Sequence, residues 1–173
     1  MRGGGGGGRP GRAGGPPAAE RRGPDHGPGV IQLTFPSTPL SVRRGLEAVR
    51  AALKPLPMDP EELGTIELVL AEALNNIVEH AYEDTQNGWI KLDCHCQADG
   101  LHVTIRDEGR EMPDGAPPIG KRAPLPQELD AMPEGGFGWF LIRDLSRDVR
   151  YHRKDGVNTL SFRINIDLPV AGA

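Results

Sequence analysis

One stretch, Glu67–Tyr82 (ELVLAEALNNIVEHAY), does most to limit what this chain can fold into, because it reads as a single buried helix with a polar edge. At 100° per residue, Ile66, Leu70, Ala73, Ile77 and Ala81 share an apolar face, with Val69 beside them and Leu74 on the other flank. Glu72, Asn76 and His80 follow one another at single-turn spacing along one margin of that face. A carboxylate and an amide stacked at the edge of a core suit metal and proton chemistry. The same pair also occurs on ordinary solvated helices, so its meaning depends on what the rest of the chain brings to it.

The 173 residues allow one ordinary domain with appendages. Residues 1–29 hold 12 of the 24 glycines, five prolines and no apolar side chain larger than Ala apart from Met1 and those prolines. Such a composition buries too little surface to offset ordering entropy, which predicts a disordered tail. Five arginines against Glu20 and Asp25 give that tail +3, and subtracting this from the chain's −4 leaves −7 for the other 144 residues. An acidic body argues against a nucleic-acid groove. The chain has no apolar run of about 18 residues and no apolar signal-peptide core, so no membrane association is expected and the expected location is cytoplasmic.

The domain is expected over residues 30–168, with 169–173 as a second tail. Val30–Pro36 alternates like a strand, and Ser37-Thr38-Pro39 offers a cap to a helix over Leu40–Leu53. The expected buried stripe of that helix runs through Leu40, Gly45, Ala48 and Ala52, with Val42, Leu46, Val49 and Leu53. Asp59-Pro60-Glu61-Glu62 opens the next helix, which contains Glu67–Tyr82. Trp89–Gln97 and Leu101–Asp107 read as a hairpin about Ala98-Asp99-Gly100, and Asp148–Lys154 with Val157–Ile166 as another about Asp155-Gly156. Between the hairpins lie a Pro/Gly-rich stretch, 108–134, with the composition of a lid, and a short apolar helix, Trp139–Leu145. This order predicts an α+β two-layer sandwich: a mostly antiparallel sheet covered on one face by helices.

Cys94 and Cys96 point the same way from one strand, with no second Cys/His pair to complete a tetrahedral metal site, and read as structural cysteines. Gly115 to Arg122 approaches a P-loop but carries Arg122 where a Ser/Thr must ligate magnesium, and two prolines remove donors from the cradle. Gly135-Gly136-Phe137-Gly138 is better placed, as a glycine-rich turn whose free N–H groups open a helix and suit an anion. Asp107-Glu108-Gly109 closes a strand with a carboxylate able to accept from an exocyclic amine, and Gly109 lets a flat ring approach.

Taken in order, EALNNIVEHAY, VTIRDEG and EGGFGWFLIRDL resemble the GHKL ATPases of the Bergerat fold, and among them the bacterial anti-sigma-factor serine/threonine kinases. The resemblance covers about Ile31–Ile166. It implies ATP and Mg²⁺ as cofactors, with Asn76 as the metal ligand and Glu72 orienting or deprotonating the attacking hydroxyl. It further implies Asp107 and Gly109 at adenine, and Gly136, Phe137 and Gly138 at the phosphates. Lys121 and Arg122 of the lid would reach the terminal phosphate. The implied partners are a sigma factor, met through Arg43 and Arg44, and a STAS-domain anti-anti-sigma protein whose serine or threonine is phosphorylated, within a homodimer. The alternative is a nucleotide-responsive binding module that transfers no phosphate. Two departures stand out. Arg110-Glu111-Met112 occupies the place of a second glycine after Asp-x-Gly, and the bulky Trp139 and Phe140, read here as core, follow the glycine-rich turn.

Overall fold

Among the described residues, alternation along five strands, numbered in chain order, builds one antiparallel sheet in which the fifth strand lies between the third and the fourth. The strands are β1 (Val30–Pro36), β2 (Trp89–Gln97), β3 (Gly100–Asp107), β4 (Arg147–Lys154) and β5 (Val157–Ile164). Among the described residues, three α-helices, α1 (Pro39–Leu53), α2 (Pro60–Asn76) and α3 (Gly136–Leu145), pack with the sheet. This computed structural model describes residues 29–83, 88–119 and 136–167. The readings for the tails, for Lys121 and Arg122, and for most of the lid fall outside the described residues.

Inward-facing residues recur at period two: Ile90, Leu92 and Cys94 on β2, Leu101, Val103 and Ile105 on β3, and Leu160, Phe162 and Ile164 on β5. They meet Val42, Val49 and Leu53 of α1, Ile66, Val69, Leu70, Ala73 and Leu74 of α2, and Ile142 of α3. The sandwich therefore has the expected layers. Burial pushes the Cys94 thiol far up, consistent with a cysteine that packs as an apolar side chain. On the opposite sheet face, buried Asp93 is paired by Arg106.

Local chemistry explains the helix starts. Thr38 caps α1 by accepting from the Ser41 amide at 3.1 Å, with Pro39 in the first turn. Asp59 and Glu62 form a reciprocal capping box on α2. The stripe on α1 is narrower than expected: Val42, Gly45, Val49 and Leu53 are buried, while Leu40, Ala48 and Ala52 are exposed. One contact row suffices here, because among the described residues α1 packs mainly on α2 and on the edge strand β1.

Three other expectations are corrected. The helix through Tyr82 is not α-helical to its end, since Ile77–Ala81 forms a π-helical turn and the Tyr82 amide donates to the Ile77 carbonyl, 3.2 Å away. Within that turn Ala81, expected on the apolar face, is half-buried and His80 is exposed. Gly136–Gly138 belongs to the first turn of α3 rather than to a turn before it, and β5 stops at Ile164, two residues early.

Candidate functional site

The inner face of the sheet, the end of α2, the π-turn and α3 enclose a cavity of about 370 Å³, within the range of small-molecule sites. Asn76, His80, Asp107, Met112, Trp139 and Asn158 are among the residues lining it. Trp139, expected as core, is both buried and part of the cavity wall.

At one end stands Asp107, in the inward phase of β3 and only 6% exposed. Its Oδ1 accepts from the Gly109 amide at 2.9 Å and from Asn158 Nδ2 at 2.8 Å, which leaves Oδ2 for the cavity. Burial pushes its carboxyl above the ordinary range, while the bonds from Asn158 and Gly109 and the charge of Arg153 pull it back. Gly109 must be glycine for a steric reason: a Cβ there would lie 2.7 Å from both the Cβ and the carbonyl oxygen of Ala81. The π-turn thus presses on the Asp-x-Gly loop, and the Ala81 carbonyl accepts the Arg110 amide at 2.7 Å. Tyr82 adds a second tie, its hydroxyl accepting the Glu108 amide at 2.9 Å and donating to the Trp89 carbonyl.

At the other end, Asn76 Nδ2 donates to the Glu72 carbonyl one turn back, at 2.8 Å. A nitrogen held on a carbonyl oxygen must be the donor, so the amide oxygen points away and, among the described residues, accepts no hydrogen bond. α3 crosses here at Gly138, where an added Cβ would come within 2.5 Å of Glu72 Oε2 and 3.4 Å of Asn76 Nδ2. Gly138, distant in the chain, therefore lies against Glu72 and Asn76. Phe137 does not join the cavity; it is 40% exposed and stacks on Phe140 with ring centroids 6.2 Å apart. Arg43 and Arg44 are exposed on α1 and line no part of it, and Arg43 pairs with Glu47.

The sequence reading overlooked the residues that brace the Asp107 end: Asn158, Tyr151 and Arg153. A signal was present. Inward positions of Val157–Ile164 run Asn158, Leu160, Phe162, Ile164, so a lone amide occupies a core phase of the strand.

A model of the histidine kinase-like ATPase domain family matches residues 35–164, three-quarters of the chain. The chain belongs to this family. As a histidine kinase-like ATPase domain it shares 27% identity with serine-protein kinase RsbW of Listeria innocua over 137 residues, covering 75% of this chain and 83% of that protein. Identity with serine-protein kinase RsbW of Oceanobacillus iheyensis is 28% over 129 residues, covering 73% and 81%. In fold, the domain resembles the crystal structure of the RsbU and RsbW domains of Rv1364c from Mycobacterium tuberculosis. That match has a TM-score of 0.53 at 14% identity and spans 83% of this chain but 34% of the other.

Proposed function

We propose that this ATPase domain is an ATP-dependent protein-serine kinase that also sequesters a sigma factor. The observation that carries the reading is the meeting of Glu72 and Gly138 with Asn76, which lines the same cavity as Asp107. The names of the similar proteins, serine-protein kinases along some four-fifths of their length, support the same reaction class.

The residues fit magnesium and ATP. Asn76 offers a hard oxygen whose amide partner is already engaged, and Mg²⁺ takes one or two protein oxygens with waters and phosphates supplying the rest. Mg-ATP supplies the transferable phosphoryl group. Around it, Asn76 would hold the metal, and the carboxylate of Glu72 would orient a serine hydroxyl and receive its proton. Gly138 lets α3 approach Glu72 closely, so the helix N-terminus with Gly136 can offer amide donors to phosphate oxygens. Asp107 Oδ2 would accept from the 6-amino group of adenine, and Lys121 and Arg122 would meet the terminal phosphate.

The proposed partners are a sigma factor and a STAS-domain protein whose serine receives the phosphate. Phosphorylation adds about −1.5 to −2 charge and separates that complex by repulsion and desolvation. In a homodimer, exposed Arg43 and Arg44 would face the sigma factor. Transfer of label from γ-labelled ATP to a serine of a co-purified STAS-domain partner is the expected result. ATP-dependent partner binding with no transfer would instead make the chain a binding module. The charge reversal Arg44→Glu is expected to slow sigma association about tenfold at low salt and to leave ATP affinity unchanged. Unchanged kinetics would move the sigma surface elsewhere.

A further inference from the structure

We propose that Asn158 is the positioning residue that sets the base selectivity of the cavity. It fixes Asp107 with one oxygen on the protein and the other toward the ligand, and it grips the loop that forms the adjoining wall. This rests on the nucleotide reading above.

Asn158 is 3% exposed, and its side chain has a partner at every polar atom. Its Oδ1 accepts from Tyr151 Oη at 2.7 Å and from Arg153 Nη1 at 2.6 Å. A guanidinium can only donate, so this settles which end of the amide is oxygen. The Nδ2 hydrogens are then directed at Asp107 Oδ1 (2.8 Å), the Arg110 carbonyl (3.0 Å) and, most weakly, the Gly109 carbonyl (3.3 Å). Pairing places Asp107, Asn158 and Arg153 side by side on β3, β5 and β4.

Two consequences follow. First, among the described residues, the Asp107 carboxylate is anchored through Oδ1 alone. Without Asn158 it keeps only the Gly109 amide and is free to turn. Second, the loop Arg110-Glu111-Met112, which lacks a second glycine, is held by side chains of the β4–β5 hairpin. Arg153 Nη1 donates to the Gly109 carbonyl at 2.8 Å, and the Met112 amide donates to Tyr151 Oη at 3.0 Å. A fixed acceptor beside a fixed wall favours a purine carrying a 6-amino donor and opposes a 6-oxo purine, whose carbonyl would face the carboxylate. Loss of the brace relaxes this discrimination, whereas loss of mere structural support weakens both nucleotides alike.

The test is calorimetric titration of the full chain with ATP and with inosine triphosphate, both with magnesium. Wild type is expected to prefer ATP by about tenfold or more, since a site built to hydrogen-bond one group rejects the analogue lacking it. Asn158→Asp keeps the shape and the acceptor for Tyr151 and Arg153, removes the donors, and sets a second carboxylate against Asp107. Such a pair shares a proton, so Asp107 ceases to be a fixed acceptor. The expected result is an ATP affinity reduced by about tenfold or more with an ATP-to-ITP ratio near one. Tyr151→Phe removes one anchor of Asn158 and the acceptor of Met112 with little change of shape, and should lower the ratio about threefold in a protein that melts somewhat lower but still cooperatively. That variant decides the matter if Asn158→Asp fails to fold. Equal losses for both nucleotides, with the ratio kept in the folded variants, would overturn the positioning role. Absence of ATP binding by wild type would overturn the nucleotide reading, and this inference with it.

Discussion

At the Asp107 end of the cavity, Asn158 has every polar atom engaged, and the amides of residues 108, 109, 110 and 112 each donate within the protein. At the Asn76 end, among the described residues, the side chains of Glu72 and Asn76 make a single hydrogen bond, from Asn76 to the Glu72 carbonyl. The glycines mirror the contrast. Gly109 faces the backbone of Ala81, which cannot yield, while Gly138 faces the flexible end of Glu72, which can. One end is formed before any ligand arrives and suits the recognition of a rigid ring. The other keeps its oxygens free, as a metal, phosphates and a moving proton require.

The largest expected effect lies at the open end. Glu72→Gln keeps the shape and loses the basicity, so transfer should fall by about 10²–10⁴ while ATP still binds. Near-normal transfer of label would remove Glu72 from the chemistry. Asn76→Ala should lower magnesium-dependent ATP affinity by about 100-fold with the fold intact, because even outer-shell residues of metal sites are worth about 10–100-fold. Unchanged titrations with and without magnesium would contradict that role.

The two glycines sharpen the comparison directly. Gly109→Ala should destabilise the protein by about 1–3 kcal/mol through collision with Ala81, read as a lower melting temperature. Gly138→Ala should leave melting within a few degrees, because only the Glu72 carboxylate must move, and should reduce transfer about tenfold. Equal thermal losses for the two would mean that the ends are equally rigid.

The smallest effect concerns pH. The Asp107 carboxyl is raised by burial, so the folded protein binds that proton more tightly than the unfolded chain does. Its contribution to stability is therefore full below the ordinary carboxylate range and is lost as pH rises through the raised value. Asp107→Asn, which removes the charge, should melt higher than wild type at neutral pH, the gain fading on acidification. A variant melting lower at neutral pH would show that the carboxylate stabilises the fold.

These two ends were unequally legible in the sequence. The strands, both hairpins and the α2 start follow from alternation, turn residues and capping pairs, all local properties, whereas the strand order, which pairs β1 with β2 and β3 with β5 across long separations, does not. Glu72 and Asn76 were legible for the same reason, being one turn apart on one helix. The Asp107 brace was not, because its bonds join β3 to a hairpin some fifty residues later, and only the inward phase of Asn158 hinted at it. The π-turn left no periodic trace. It coincides with contacts to Gly109 and Arg110 that α-helical spacing does not record. Gly136–Gly138 looked like a turn by composition and is helical where α3 docks on Glu72 and Asn76.

The most direct measurement uses the two tryptophans. Trp139 lines the cavity, whereas Trp89 sits at the sheet's end, 43% exposed and absent from the cavity wall. In the variant Trp89→Phe, tryptophan fluorescence reports on the cavity alone. Titration with ATP and magnesium should then give a saturable change that weakens without magnesium and is largely lost in Asp107→Asn. No saturable change, or one indifferent to both magnesium and Asp107, would contradict the assignment of this cavity to the nucleotide.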